Sequence, residues 1–216
     1  MGTKRELMRE KLDAQYHKVA LALAAGVREG RLHSLAFTGP AKKQGTTSAV
    51  LNVAHQLTAS CGIEVVVVEL NRQKPSFVRL FPLDEKKSVA AIANGKCSLD
   101  CVQRAADRLS VIPIGDFASA SSHALEQAVR KIQLELGRAY PLILWDASPV
   151  LENSDLLFLR NVLANAVLVV ESGKVNHEVL ERINSEFIAA GISLEGTIMV
   201  KQTKPIPGWI YRWLIH

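Results

Sequence analysis

The sequence predicts a doubly wound α/β domain with a mostly parallel central sheet, and three observations carry that expectation. Six short apolar runs recur along the chain, at residues 32–37, 63–70, 109–114, 141–145, 166–170 and 194–200. They are mostly continuous rather than alternating, as strands covered on both faces are. Helical periodicity fills the gaps, and strand alternating with helix is the pattern of an open parallel sheet. Finally, the first run leads into Gly45-Thr46-Thr47-Ser48 and then a helix, the place where free N–H groups and the helix dipole receive an anion.

Taken in order, residues from about 4 to 28 read as a helix with Leu12, Tyr16, Val19, Leu23 and Val27 as its apolar stripe. A second helix follows the first strand, with Val50, Val53, Ala54, Leu57 and Cys61 at helical spacing. Another precedes the last strand, through Val179, Ile183, Phe187 and Ala190. Gly62 and Gly191 fall just after these helices, where a left-handed C-cap is expected. With no repeat or low-complexity linker, the expected organisation is a helical segment (1–30) packed on one α/β domain (31–203), then an amphipathic tail (204–216). In the tail, Pro207 can open a short helix that puts Trp209, Ile210, Trp213 and Leu214 on one face. So short a segment needs a cover, either its own domain or a groove on a partner. A membrane surface is the weaker alternative, because one or two turns bury little area.

Composition narrows the classes. Hydrophobic residues make up 48% and charged residues 22%, with 26 basic and 21 acidic side chains and a net charge of +5. That surplus tolerates an acidic membrane or nucleic acid without demanding either. The basic residues are scattered, with only adjacent pairs such as Lys42-Lys43 and Arg130-Lys131, so nucleic acid is disfavoured. The opening MGTKRELMREKLD is charged throughout, unlike a signal peptide, and the apolar stretches are too short to span a bilayer. The expected location is therefore the cytoplasm. The three cysteines are read as reduced thiols, with Cys97 and Cys101 four apart on what looks like one helix.

The loop at residues 38–48 approximates the phosphate-binding motif G-x-x-x-x-G-K-[ST], in which lysine reaches the β/γ-phosphates and the hydroxyl faces Mg²⁺. Gly45 and Thr47 fit; Thr46 stands at the lysine position. As a bare pattern, residues 45–48 could equally be a generic helix cap.

The surrounding residues carry more. The stretch from Thr38 to Ala54 aligns without a gap to T-S-P-x-P-G-E-G-K-S-T-T-A-A-N-L-A, keeping Thr38, Pro40, Gly45, Asn52 and Ala54. Val68-Glu69-Leu70-Asn71-Arg72-Gln73-Lys74-Pro75 parallels a strand end with two aspartates, and Tyr140 to Pro149 parallels Y-D-x-V-I-I-D-T-P-P. Together these resemble, in colinear order over residues 14–200, the bacterial tyrosine-autokinase (BY-kinase) and capsular-exopolysaccharide ATPase family of MinD/ParA-type P-loop proteins. The resemblance implies a nucleotide site at Lys43, Gly45, Thr46, Thr47, Ser48, Glu69, Asn71 and Asp146, with Thr47 and Asp146 holding Mg²⁺ if Mg-ATP or Mg-ADP binds. It also implies a cytoplasmic partner role beside a membrane polysaccharide chain-length or export protein, and homo-oligomer formation.

The departures point away from catalysis. Thr46 replaces lysine, Lys43 replaces a glycine, and Glu69 and Asn71 replace aspartates. A charge-assisted hydrogen bond contributes roughly 1.5–3 kcal/mol, so losing the lysine weakens phosphate binding about 10-fold to 100-fold or more. Lys42 and Lys43 are the candidates to supply the missing charge, although exposed loop lysines are more often simply solvated. The family's E-x-x-R-x-x-R oligomerisation motif falls on Ala14, His17 and Ala20, and its C-terminal tyrosine cluster is reduced to Tyr211. The expectation is a catalytically degenerate member with weak or lost nucleotide binding; the alternative is a weakly active ATPase or tyrosine kinase.

Overall fold

The computed structural model describes residues 4–117 and 120–200. The tail residues Trp209, Ile210, Tyr211, Trp213 and Leu214 lie outside the described residues, as does the Leu12 side chain.

All six apolar runs are strands: β1 (Ser34–Thr38), β2 (Val65–Glu69), β4 (Leu109–Ile112), β5 (Leu142–Asp146), β6 (Asn165–Glu171) and β7 (Ser193–Val200). A further strand, β3 (Gln103–Ala106), pairs antiparallel with β4 and has no apolar run to announce it. The sheet has seven strands in the order β3-β4-β2-β5-β1-β6-β7, and every other pairing is parallel. β1 is an interior strand, flanked by β5 and β6, so the loop that leaves it lies within the sheet's carboxyl edge. Ligand sites in open α/β sheets gather at that edge.

Alternate residues of each strand feed two cores, one per face. Leu35 and Phe37 pack with α1 (Lys4–Arg28) and α2 (Thr46–Ala59). Ala36, Val66, Val68 and Trp145 pack with α4 (Val89–Ala93), α5 (Ser122–Leu136) and α7 (His177–Ala190). Two short helices, α3 (Phe77–Leu80) and α6 (Asp155–Phe158), flank the carboxyl edge. The Trp145 indole is fully buried, and its N–H donates to Ser34 Oγ at 2.8 Å, tying β5 to β1. Such a satisfied indole keeps its burial free of an unpaired-donor cost.

The helix readings hold with adjustments. On α1 the most deeply buried face is Tyr16, Ala20 and Ala24, with Val19, Leu23 and Val27 packed beside it. Gly191 is the left-handed C-cap of α7 at φ 73°; Gly62 is also left-handed, at φ 69°, but lies beyond the Ser60 cap of α2. The cysteine reading is corrected. Cys97 lies past the end of α4, Cys101 closes a separate 3₁₀ turn (Leu99–Cys101), and the two form a disulfide with Cα atoms 5.9 Å apart. Three intervening residues in a bent segment bring the sulfurs together. Cys61 is free. Among the described residues, no helix is long and apolar enough to cross a membrane.

Candidate functional site

The β1–α2 loop keeps the shape of an anion cradle. Lys43 has φ 64° and Gly45 φ 83°, so two left-handed residues curl the chain before α2. Gly45 is the N-cap of α2 and no side chain caps the helix, so its first-turn amides face outward without an internal acceptor. Gly39 leaves little room for a side chain: a Cβ there would sit 3.1 Å from the Val169 carbonyl and 3.0 Å from Thr46 Oγ1, so its neighbours would have to shift. The loop is pinned at three points. Thr38 Oγ1 donates to the Ser148 carbonyl at 2.8 Å, Val150 N–H to the Gly39 carbonyl at 2.9 Å, and Glu171 N–H to Gln44 Oε1 at 2.6 Å.

Lys43 holds a conformation that costs a non-glycine residue about 1 kcal/mol or more. Lys43→Gly is therefore expected to raise stability by on the order of 1 kcal/mol, read from the urea midpoint at unchanged slope. A lowered midpoint would show that the lysine side chain stabilises the loop.

Thr47 and Asp146 meet at the base of this loop. Thr47 Oγ1 donates to Asp146 Oδ2 at 2.7 Å, while Asp146 Oδ1 is buried with no hydrogen-bond partner among the described residues. Burial pushes the Asp146 carboxyl up to about 7; the nearby Glu69 charge adds to the rise, and the Thr47 hydrogen bond opposes it. A buried carboxylate with an open oxygen beside a helix-opening hydroxyl fits a divalent cation. Thr47 and Asp146 would hold Mg²⁺, whose charge would neutralise phosphate oxygens at the cradle.

Glu69 and Asp146 are register partners on β2 and β5. Glu69 is nevertheless fully engaged: Oε1 accepts from Ser76 N–H at 2.5 Å and Phe77 N–H at 3.1 Å, and Oε2 from Ile114 N–H at 3.2 Å. Its carboxylate fastens the start of α3 to the end of β4. The cleft itself measures about 290 Å³ and is lined by Lys43, Gly45, Thr46, Thr47, Ser48 and Asn71 of the sequence-derived set, whereas Glu69 and Asp146 lie below it.

The two candidate substitute lysines differ. Lys42 is held by Glu152, through its N–H at 2.7 Å and its ammonium at 2.8 Å, and that pairing lowers the Glu152 carboxyl. Lys43 lines the cleft without such a partner among the described residues. Sequence reasoning missed Arg79 as a lining residue and quoted Lys74 only within a motif. Both come from the β2–α3 segment, and only the folded chain brings them to the loop.

No family model matches the chain. It is 22% identical over 188 residues to the tyrosine-protein kinase YwqD of Bacillus subtilis, covering 86% of this chain and 79% of that one. It is 23% identical over 181 residues to the tyrosine-protein kinase ptk of Acinetobacter johnsonii; that match takes in 82% of this chain but 25% of the relative's length. The VpsO kinase domain superposes with a TM-score of 0.77 at 20% identity, over 91% of this chain and 99% of that domain. The relatives of this chain are thus bacterial tyrosine-protein kinases, and its fold is that of MinD/ParA-type P-loop proteins.

Proposed function

We propose that the chain is a catalytically degenerate BY-kinase-like protein serving as an accessory or regulatory partner in capsule or exopolysaccharide biosynthesis or export. One observation carries this reading: the phosphate cradle keeps its curl and its outward amides, yet Thr46 opens α2 where a lysine should stand. Phosphoryl transfer depends on positioned positive charge, so a cradle without that lysine retains binding better than turnover. Lys42, one of the two candidates to replace it, is engaged by Glu152. Self-assembly through the helical motif is disfavoured too, since Ala20 is buried against the domain where the family has an arginine.

The partner would be the cytoplasmic part of a membrane polysaccharide chain-length or export protein, engaged through Trp209, Ile210, Trp213 and Leu214. The test is a pull-down with that cytoplasmic part, using the full chain, Thr46→Lys and a chain lacking residues 204–216. Association independent of Mg-ATP, equal for Thr46→Lys and lost on truncation is the expected result. Binding that requires hydrolysable ATP, or that survives truncation, would count against it. A weakly active ATPase or tyrosine kinase is the second reading, favoured by Lys43 in the cleft, which has no ion-pair partner among the described residues; phosphotyrosine on the partner would select it.

A further inference from the structure

The cleft over α2 carries more positive charge than its loop supplies. Lys43, Lys74 and Arg79 line it, and no aspartate or glutamate does. Among the described residues, none of these three cations pairs with a carboxylate. In a chain whose basic residues are otherwise scattered, a concave wall of one sign concentrates anions.

The segment bearing Lys74 and Arg79 is fixed rather than loose. Asn71 Oδ1 accepts from Lys74 N–H at 3.1 Å, and Glu69 holds the Ser76 and Phe77 amides. The Arg72 guanidinium is clamped by Asp155 and donates to the Ala120 carbonyl at 2.7 Å. Below, the fully buried Asp146 accepts on Oδ2 from Thr47, a residue of the cleft wall, and its Oδ1 has no partner among the described residues. A buried unpaired carboxylate under a cationic, amide-rimmed cleft calls for a cation bound together with an anion.

We infer that Lys74 and Arg79, together with Lys43, grip a magnesium-bound oligophosphate chain such as that of a nucleoside di- or triphosphate, replacing the charge absent at Thr46. This rests on the reading of the cleft as a retained phosphate site. It adds which residues bind and from where: the β2–α3 segment, opposite in origin to the loop. Arg79 offers a planar fork to phosphate oxygens, and Lys74 a point charge. Charges arriving from this segment hold the anion without standing where the loop lysine would attend the transferring group, so binding and turnover separate.

The experiment is calorimetric titration of the full chain with Mg-ATP, Mg-ADP and Mg-tripolyphosphate. It is run on the wild type, Lys74→Ala, Arg79→Ala, Arg79→Lys and, as a control, Lys96→Ala on the exposed turn after α4. Each of Lys74→Ala and Arg79→Ala is expected to weaken binding at least ~10-fold, Arg79→Lys to recover part of the loss, and Lys96→Ala to change it less than ~3-fold. Both side chains are exposed, so unliganded melting temperatures should match the wild type and separate lost binding from lost folding. Tripolyphosphate binding alongside ATP identifies the phosphate chain as the ligand; ATP binding without it overturns that assignment. Wild-type-like affinity in Lys74→Ala and Arg79→Ala overturns the inference and leaves the degenerate-loop reading standing. Failure of the wild type to bind any of the three at millimolar concentration overturns it as well. ATP turnover, in contrast, sinks the degenerate-loop reading and not the cation assignment.

Discussion

Asp155→Ala is expected to cost about 3–5 kcal/mol, among the largest effects of any single polar substitution in the domain. Arg72 Nε and Nη2 donate to the two Asp155 oxygens at 2.9 and 2.5 Å, and Nη1 donates to the Ala120 carbonyl. The side chains are only 15% and 7% exposed, so removing the carboxylate strands a guanidinium that water reaches poorly. At about 2–4 °C per kcal/mol for a domain of this size, the melting temperature should fall by roughly 6–20 °C. Arg72→Met combined with Asp155→Ala should cost clearly less than the sum of the single changes, since no charge is then left unpaired. A loss below about 1 kcal/mol for Asp155→Ala would mean that the pair is solvated like a surface bridge. The clamp also ties the β2–α3 segment to α6, so weakening it should loosen the wall that carries Lys74 and Arg79.

Asp146→Asn is expected to act in the opposite direction and stabilise the ligand-free protein at neutral and alkaline pH. Burial penalises the charged form of the folded-state carboxyl and pushes it up to about 7, from an ordinary value of 3.8. A group raised in the folded state binds its proton more tightly there than in the unfolded chain. Wild-type stability should therefore decline as pH rises from about 4 to about 7, and remain low above that. Asparagine keeps the shape and removes the charge. The full shift sets a ceiling near 4 kcal/mol, and relaxation around the carboxylate leaves on the order of 2 kcal/mol, or roughly 4–8 °C at pH 8. Near pH 4 the wild type and variant should converge. A pH-independent difference, or a variant that melts lower at pH 8, would show that Asp146 has a compensating partner. Mg²⁺ with ATP should narrow the gap at pH 8 by stabilising the wild type alone.

What could be read from the chain follows from where each signal resides. The six apolar runs, continuous in all but the last, and the residue 45–48 turn encode their elements locally, so the parallel sheet and the meeting of Thr47 with Asp146 were legible. β3 was not, because its residues alternate half-buried and exposed at the sheet edge and contain no Val, Ile or Leu run. Glu69 reads as a degraded nucleotide residue in sequence, yet three backbone amides from two separate segments converge on its carboxylate. Lys42 and Lys43 look interchangeable as letters; Glu152, 110 positions away, distinguishes them. Lys74 and Arg79 belong to the cleft only once β2 has been laid beside β5. The Cys97–Cys101 pairing was misread because a spacing of four suggested a helix, where the chain bends.

The central claim is that the fold keeps the phosphate cradle while Thr46 removes its catalytic competence. Its most direct test is single-turnover and steady-state release of phosphate from Mg-ATP by the purified full chain, beside Thr46→Lys. The wild type is expected to release none above the background of an Asp146→Ala control, and Thr46→Lys to bind Mg-ATP at least ~10-fold more tightly. Robust wild-type turnover that Asp146→Ala abolishes would contradict the claim.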